Sequence, residues 1–318
     1  MSARRLRVGI SACLLGQEVR YDGQHKRDDL LVDVLGRCVE WVPVCPEVEL
    51  GLGVPREPIR LVGRSGAPRL LAERSGADHT DAMRAYARRR VAALAREDLS
   101  GYVTKKDSPS CGMARVRVHP ARGGPPRRDG VGAFARELLA AMPLLPVAEE
   151  ADLHDPALRE SFTERVFAYA RWKALVERGV TRRGLVAFHA AHELLLLAHS
   201  AAAYRRLGAL VGELGKSSAR AAARQYGEGF MRALAVPATR VRHATVLRRV
   251  LGDLRGVLEP VEQEELEEIA SDYARGLVPL AVPLTLVRHH VRRHGVERLA
   301  GQVYLEPDAE ELMPRSHA

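Results

Sequence analysis

The chain has 318 residues, 46% hydrophobic and 28% charged, a balance that fits a folded globular protein and excludes a disordered or fibrous one. No apolar run approaches the roughly 20 residues that span a bilayer, and the Arg-bearing N-terminus runs directly into a strand-like segment. Neither a membrane partner nor a secretory leader is therefore expected, and the cytoplasm is the expected compartment. The net charge of +9 makes nucleic acid a suitable partner. The basic residues are overwhelmingly Arg, however, which a GC-rich genome would also produce.

In chain order, Arg7–Ala12 (RVGISA) and Val39–Val44 (VEWVPV) read as short buried strands, each leading into a Cys-bearing loop. Residues 28–36 read as a helix between them, and residues 78–97 as a longer helix with Met83, Ala87, Val91, Leu94 and Ala95 inward. Gly101–Thr104 is a further strand, followed by the loop 105–112. Residues 115–129, rich in Gly, Pro and Arg, read as a surface loop. A helix over 132–141 and an acidic link over 149–155 follow.

Strands alternating with helices predict an α/β domain with a mostly parallel, Rossmann-like sheet over residues 1–155. In such sheets ligands gather beyond the strand C-termini. The second half predicts an all-α domain, 156–318, of six or seven helices: 155–177, 181–198, 201–213, 217–234, 238–254, 260–276 and 283–294.

The four cysteines are Cys13, Cys38, Cys45 and Cys111. In a reducing compartment such thiols are buried, reactive or metal-bound rather than paired. No C-x-x-C occurs, so spacing alone signals neither a zinc ribbon nor a ferredoxin. Cys13, Cys45 and Cys111 each follow a predicted strand, whereas Cys38 lies in an apolar strand lead-in and reads as core. Their surroundings are distinctive: Ser11-Ala12-Cys13-Leu14-Leu15-Gly16 followed by Arg20-Tyr21-Asp22-Gly23; Val44-Cys45-Pro46-Glu47-Val48-Glu49 followed by Pro55-Arg56; and Lys106-Asp107-Ser108-Pro109-Ser110-Cys111-Gly112. Tight Gly/Pro turns expose backbone N–H groups that hydrogen-bond sulfur and lower thiolate pKa values.

These three segments resemble the thiouracil desulfidase family, over roughly residues 7–150. The resemblance implies a [4Fe-4S] cluster held by Cys13, Cys45 and Cys111, and catalytic roles for Glu47 and Ser108. Three thiolates on four irons leave one iron without a protein donor, and iron is thiophilic. Glu47 is placed as general base for a water, and Ser108 to orient that water or the uracil edge. Arg20, Asp22, Arg56 and Lys106 are candidates for substrate contacts. The plain alternatives are a surface carboxylate for Glu47 and a Pro-fixed turn residue for Ser108.

In the second half, His189, His192 and His199 suggest a metal site on one helix face, or hydrogen-bonded structural histidines. The segments 188–208, 237–252, 273–295 and 302–307 resemble a helical domain of unknown function that is often fused to the first. Glu193 stands where relatives often carry Lys, Thr245 and Arg249 where Asn and His are common, and 308–318 departs from the pattern. The fusion resembles the two-domain tRNA 4-thiouridine desulfidases, which implies thiolated tRNA as substrate, flipped out to reach the cofactor. Free thiouracil or thionucleosides are an alternative substrate. A non-catalytic RNA-binding protein with a structural metal is a reading of another class. Sulfur insertion is disfavoured, because no P-loop is present to activate a uracil oxygen.

Overall fold

The computed structural model describes residues 5–213, 219–307 and 311. The closing segment 308–318 therefore lies, Glu311 apart, outside the described residues. The chain forms two compact units, the first reaching Ala170 and the second beginning at Arg171.

The first unit is built on a four-stranded sheet of β1 (Leu6–Ser11), β2 (Val39–Val44), β5 (Leu99–Thr104) and β8 (Val147–Glu149), ordered β2-β1-β5-β8. Every pairing in it is parallel, and the short helix α1 (Pro46–Glu49) follows β2. Parallel sheets of this kind are covered on both faces, so their strands read as apolar runs; all six residues of β5 are buried. On one face Val42, Val44, Leu99 and Tyr102 pack with Met83, Tyr86, Ala87 and Leu94 of α2 (Thr80–Leu94) and with Phe134 and Leu138 of α3 (Ala133–Ala141). On the other, Val8, Ile10 and Val103 pack with Leu31, Leu35, Cys38 and with Phe162 and Val166 of α4 (Pro156–Glu177). The core assignment of Cys38 agrees with its burial there. The helix expected over 28–36 forms as a π-helical turn, Leu30–Val34, followed by a 3-10 turn, Leu35–Arg37, rather than as an α-helix.

A second sheet departs from expectation. It is ordered β4-β3-β6-β7, from β3 (Ile59–Arg64), β4 (Ala67–Ala72), β6 (Val116–His119) and β7 (Arg127–Gly130). Residues 115–129 are therefore not simply a surface loop. Val116 and Val118 alternate inward against Leu61, which is the period-2 pattern of a half-buried strand. Only two apolar residues carry that pattern, and the surrounding Gly, Pro and Arg conceal it. β7 exposes Arg127, Arg128 and Asp129 and buries only Gly130, so no sequence pattern marks it.

The second unit is helical, taking in the end of α4 and then α5 (Arg182–Ala191), α6 (Glu193–Gly212), α7 (Ala219–Leu234), α8 (Arg240–Leu254), α9 (Pro260–Arg275) and α10 (Ala281–Arg293). Residue 155, the expected boundary, immediately precedes α4, whose residues up to Ala170 belong to the first unit. The break expected near residue 200 forms at Ser200, whose extended backbone (φ −162°, ψ 101°) separates two helices within α6, and a second, unexpected bend of 93° separates α5 from α6 at His192. No single described helix is long and apolar enough to cross a membrane.

The bend at His192 buries its ring. Nδ1 donates to the Phe188 carbonyl at 2.7 Å, and the ring stacks on Phe188 and meets Phe230 edge-on. Burial, with Arg171 and His189 nearby, lowers its pKa from 6.5 to about 4. A depressed histidine pKa contributes stability that is complete above pH 6.5 and declines as pH falls toward 4, because the unfolded state takes up the proton first. The full term is about 3 kcal/mol. Urea unfolding followed by far-UV circular dichroism should show the helical signal losing stability over that range, and His192→Leu should flatten the loss whatever it does at neutral pH.

Candidate active site

The parallel register decides which loops share an edge. Ser11 pairs with Val44 and Ile10 with Val103, so β1, β2 and β5 end side by side. Cys13 lies in the turn after β1, Cys45 directly after β2, and Cys111 in the loop after β5. All three line one cavity of about 570 Å³, together with Arg20, Glu47, Arg56, Lys106 and Ser108. Of the sequence candidates only Asp22 stands outside that lining; its carboxylate receives Arg20 at 3.3 Å and the Gln24 amide at 3.1 Å.

The carboxylate of Glu47 is held from two sides. Arg56 donates to Oε2 through Nε (2.9 Å) and Nη2 (2.7 Å), while the Ser110 hydroxyl donates to Oε1. Arg56 Nη1 donates to the Gly53 carbonyl at 2.9 Å, and its side chain is 6% exposed. A guanidinium so engaged positions Glu47 rather than offering itself to a ligand. Glu47 retains 14% side-chain exposure toward the cavity. A carboxylate has about four lone-pair sites, so these contacts leave it acceptor capacity.

The Cys111 loop is fixed by its neighbours. Ser108 Oγ accepts from the Cys111 amide at 3.1 Å and stands 3.3 Å from Ser110 Oγ. The first amides of α3 cap the loop: Ala133 N donates to the Pro109 carbonyl, and Phe134 N to that of Ser110, both at 2.9 Å. Asp107 takes a left-handed φ of 61°, with Arg128 Nη1 at 3.0 Å from its carboxylate. Glu150, nearly buried, accepts from the Lys106 amide at 2.6 Å and pairs with Lys105 Nζ. Buried Glu149 accepts from Met113 N at 3.2 Å, and burial raises its pKa.

Each thiol is held in its neutral form by burial. Cys13 is pushed up to about 11 by burial and then by neighbouring Cys45, while Lys105 and Arg20 oppose the shift. Burial likewise raises Cys45, and raises Cys111 further with Glu47 beside it. Three clustered thiols that resist ionisation alone become good ligands once a cationic centre compensates their charge. Their three sulfurs do not all lie within 4.8 Å of one another, as the donors of a single-ion site would; among the described residues only the trio Glu262, His290 and His294 does. The donor set thus suits a polynuclear, thiophilic cofactor better than one ion.

A 2-thiouracil desulfurase family model matches residues 8–150, the span that carries all three thiols. The chain belongs to that family. A model of proteins of unknown function, DUF1722, matches residues 193–308. A solved [4Fe-4S]-dependent thiouracil desulfidase, TudS, is 33% identical, with 99% of its length and 50% of this chain aligned, at a TM-score of 0.40. Among curated relatives, the uncharacterized protein YbgA of Escherichia coli (strain K12) is 32% identical over 85% of its length and 45% of this chain. The uncharacterized protein YbbK of Bacillus subtilis (strain 168) is 32% identical over 74% of its length and 34% of this chain.

Sequence reasoning passed over Ser110, Ser11 and Glu150. Ser110 sits within the third cysteine motif, yet only the fold shows that its hydroxyl reaches Glu47, 63 residues away. Ser11 Oγ accepts from the Lys105 amide at 3.0 Å, tying the β1 turn to the Cys111 loop. The histidine metal site suggested on one helix face does not form. His189 bonds the Tyr226 hydroxyl at 3.0 Å, His199 the Val236 carbonyl at 2.7 Å, and the helix breaks at His192.

Gly132 exists for the loop. A Cβ there would stand 2.5 Å from the Ser110 carbonyl oxygen and 2.9 Å from the Cys111 amide nitrogen, both backbone atoms. Gly132→Ala should cost the first unit about 1–3 kcal/mol, measured by urea unfolding. Gly66→Ala, with nothing within 4 Å of the added carbon, should change little.

Proposed function

We propose that this protein is a [4Fe-4S]-dependent desulfidase that removes the sulfur of 4-thiouridine in tRNA, giving uridine and hydrogen sulfide. The observation that carries the reading is the convergence of Cys13, Cys45 and Cys111 on one cavity with the Glu47 carboxylate among them. The thiolates of those three residues would hold the cluster, which when bound supplies a thiophilic Lewis-acidic iron for the thiocarbonyl sulfur. The reaction exchanges C=S for C=O. Water supplies the oxygen, its two protons leave with the sulfide, and no electrons are transferred.

Glu47 accepts a proton from the water directed at the ring carbon, since its oxygens face the cavity with lone pairs to spare. Arg56 and Ser110 hold that carboxylate in orientation. Ser108, whose hydroxyl already anchors the Cys111 amide, holds the water or the uracil edge. Lys106 and Arg20 bring positive charge to the rim for the phosphates. Tyr21, 41% exposed at the same rim, offers a ring to a flipped base, with the Arg20 guanidinium 5.3 Å from its centroid. Asp22 orients Arg20.

A second reading, turnover of free thiouracil or a thionucleoside, is favoured by one observation. The family model that matches residues 8–150 is named for 2-thiouracil, a free base. Anaerobic incubation of the reconstituted protein with bulk tRNA, followed by nucleoside analysis, separates the two. Loss of 4-thiouridine with matching uridine and sulfide supports the tRNA substrate. Intact thiouridine alongside turnover of free 4-thiouracil moves the substrate to the base.

Cys13→Ala, Cys45→Ala and Cys111→Ala should each abolish the brown cluster absorbance, while Cys38→Ala should retain it. Glu47→Ala should keep the absorbance and lose roughly 10²–10⁴-fold in turnover, the usual contribution of a positioned acid–base group.

A further inference from the structure

The helical unit contains a second constellation of metal-ligating groups, unrelated to the cysteine cavity. Glu262 lies in the first turn of α9, where its side chain completes a capping box with Glu259. His290 and His294 lie four residues apart at the end of α10, so they project on one helix face. Their rings are nearly parallel, 11° between planes and 6.0 Å between centroids.

The donor atoms converge. His294 Nε2 is 2.9 Å from Glu262 Oε2, and His290 Nδ1 is 3.7 Å from Glu262 Oε1. One ligating atom from each residue falls within 4.8 Å of the others, a spacing that among the described residues only this trio attains. Donors around a tetrahedral zinc, with bonds of about 2.0–2.2 Å, stand roughly 3.3 Å apart.

The independent observation is His290 itself. Its side chain is 4% exposed, and neither ring nitrogen has a hydrogen-bond partner. The 3.7 Å approach of Nδ1 to Glu262 is too long for a hydrogen bond. A buried imidazole with both nitrogens unsatisfied costs about 1–3 kcal/mol per lost partner, and such a group calls for an explanation of the kind a bound ion supplies. The end of α10 also favours a cation, because its terminal carbonyls carry the negative end of the helix dipole.

We propose that Glu262, His290 and His294 bind a zinc ion, with water in the fourth position, and that this ion fastens the beginning of α9 to the end of α10. Two imidazoles and one carboxylate are a borderline-soft donor set suited to zinc. Glu262 ligates through Oε1 while Oε2 keeps the Glu259 amide, which donates at 3.1 Å. Arg293 Nη1 now sits 2.8 Å from Oε1 on a side chain that is 58% exposed, so the guanidinium swings aside into solvent when zinc binds.

The cysteine cavity also attracts zinc, so the test removes that competitor. Full-length protein carrying Cys13→Ser, Cys45→Ser and Cys111→Ser is equilibrated with zinc, dialysed and analysed for metal. One zinc per chain is expected, lost on adding His294→Gln and retained on adding Arg293→Gln. Cobalt(II) in its place should give a tetrahedral visible spectrum without thiolate charge-transfer bands. If the serine background fails to fold, zinc content is compared between the wild-type chain and His294→Gln alone, where a difference of one equivalent is expected. The proposal is overturned if the folded serine background holds no zinc. Zinc content unchanged by His294→Gln overturns it equally.

Discussion

The candidate site depends on the parallel pairing of β1 with both of its neighbours. With Ser11 opposite Val44 and Ile10 opposite Val103, the turns after three strands open on one edge of the sheet. A slip of one residue would turn alternate side chains to the wrong face. The two faces hold the register differently. Gly9 leaves room for the Tyr102 ring, which would lie 2.2 Å from a Cβ at that position. Val8 and Ile10 fill the opposite side with Val103, Phe162 and Val166. β1 lies between β2 and β5, and the chain passes to one side of it and then to the other. The crevice so formed is where open α/β sheets bind ligands.

Around that crevice the protein accepts several buried polar groups, each tied to another loop. Ser11 fastens the first turn to the third, and Glu150 fastens the third to the chain entering α4. Glu149 anchors the backbone just past Cys111. Such groups cost free energy when unpaired and contribute rigidity when satisfied. Their arrangement makes the positions of the three thiols and Glu47 a property of the folded unit, independent of any one loop's preferences. Arg56 and Ser110 act together on a single carboxylate, which fixes its direction.

The helical unit follows a different logic. Its core is an aromatic cluster of Trp172, Phe188, Tyr226 and Phe230, into which the bend at His192 inserts an imidazole. The tight approach of Gly227, where a Cβ would come within 2.6 Å of the Trp172 indole, shows how closely α4 and α7 pack. Across this unit Glu193 of α6 forms an ion pair with Arg249 of α8.

The sequence alone determined the strands β1, β2 and β5, the helices α2, α3 and most of the second half, and the placement of Cys13, Cys45 and Cys111 after strands. Those features are written in local periodicity and in Gly/Pro turn chemistry, which need no tertiary context. The tertiary structure alone decided the second sheet, because β6 shows its inward alternation over two valines and β7 buries only a glycine. It alone placed the break at His192, which is stabilised by the aromatic cluster closing around it. It also decided that Ser110 reaches Glu47 and that Glu262 meets His290 and His294, because those contacts join residues 63, 28 and 32 positions apart. Periodicity reports which face of an element is buried; only the folded chain determines what that face, or a polar group beside it, finally touches.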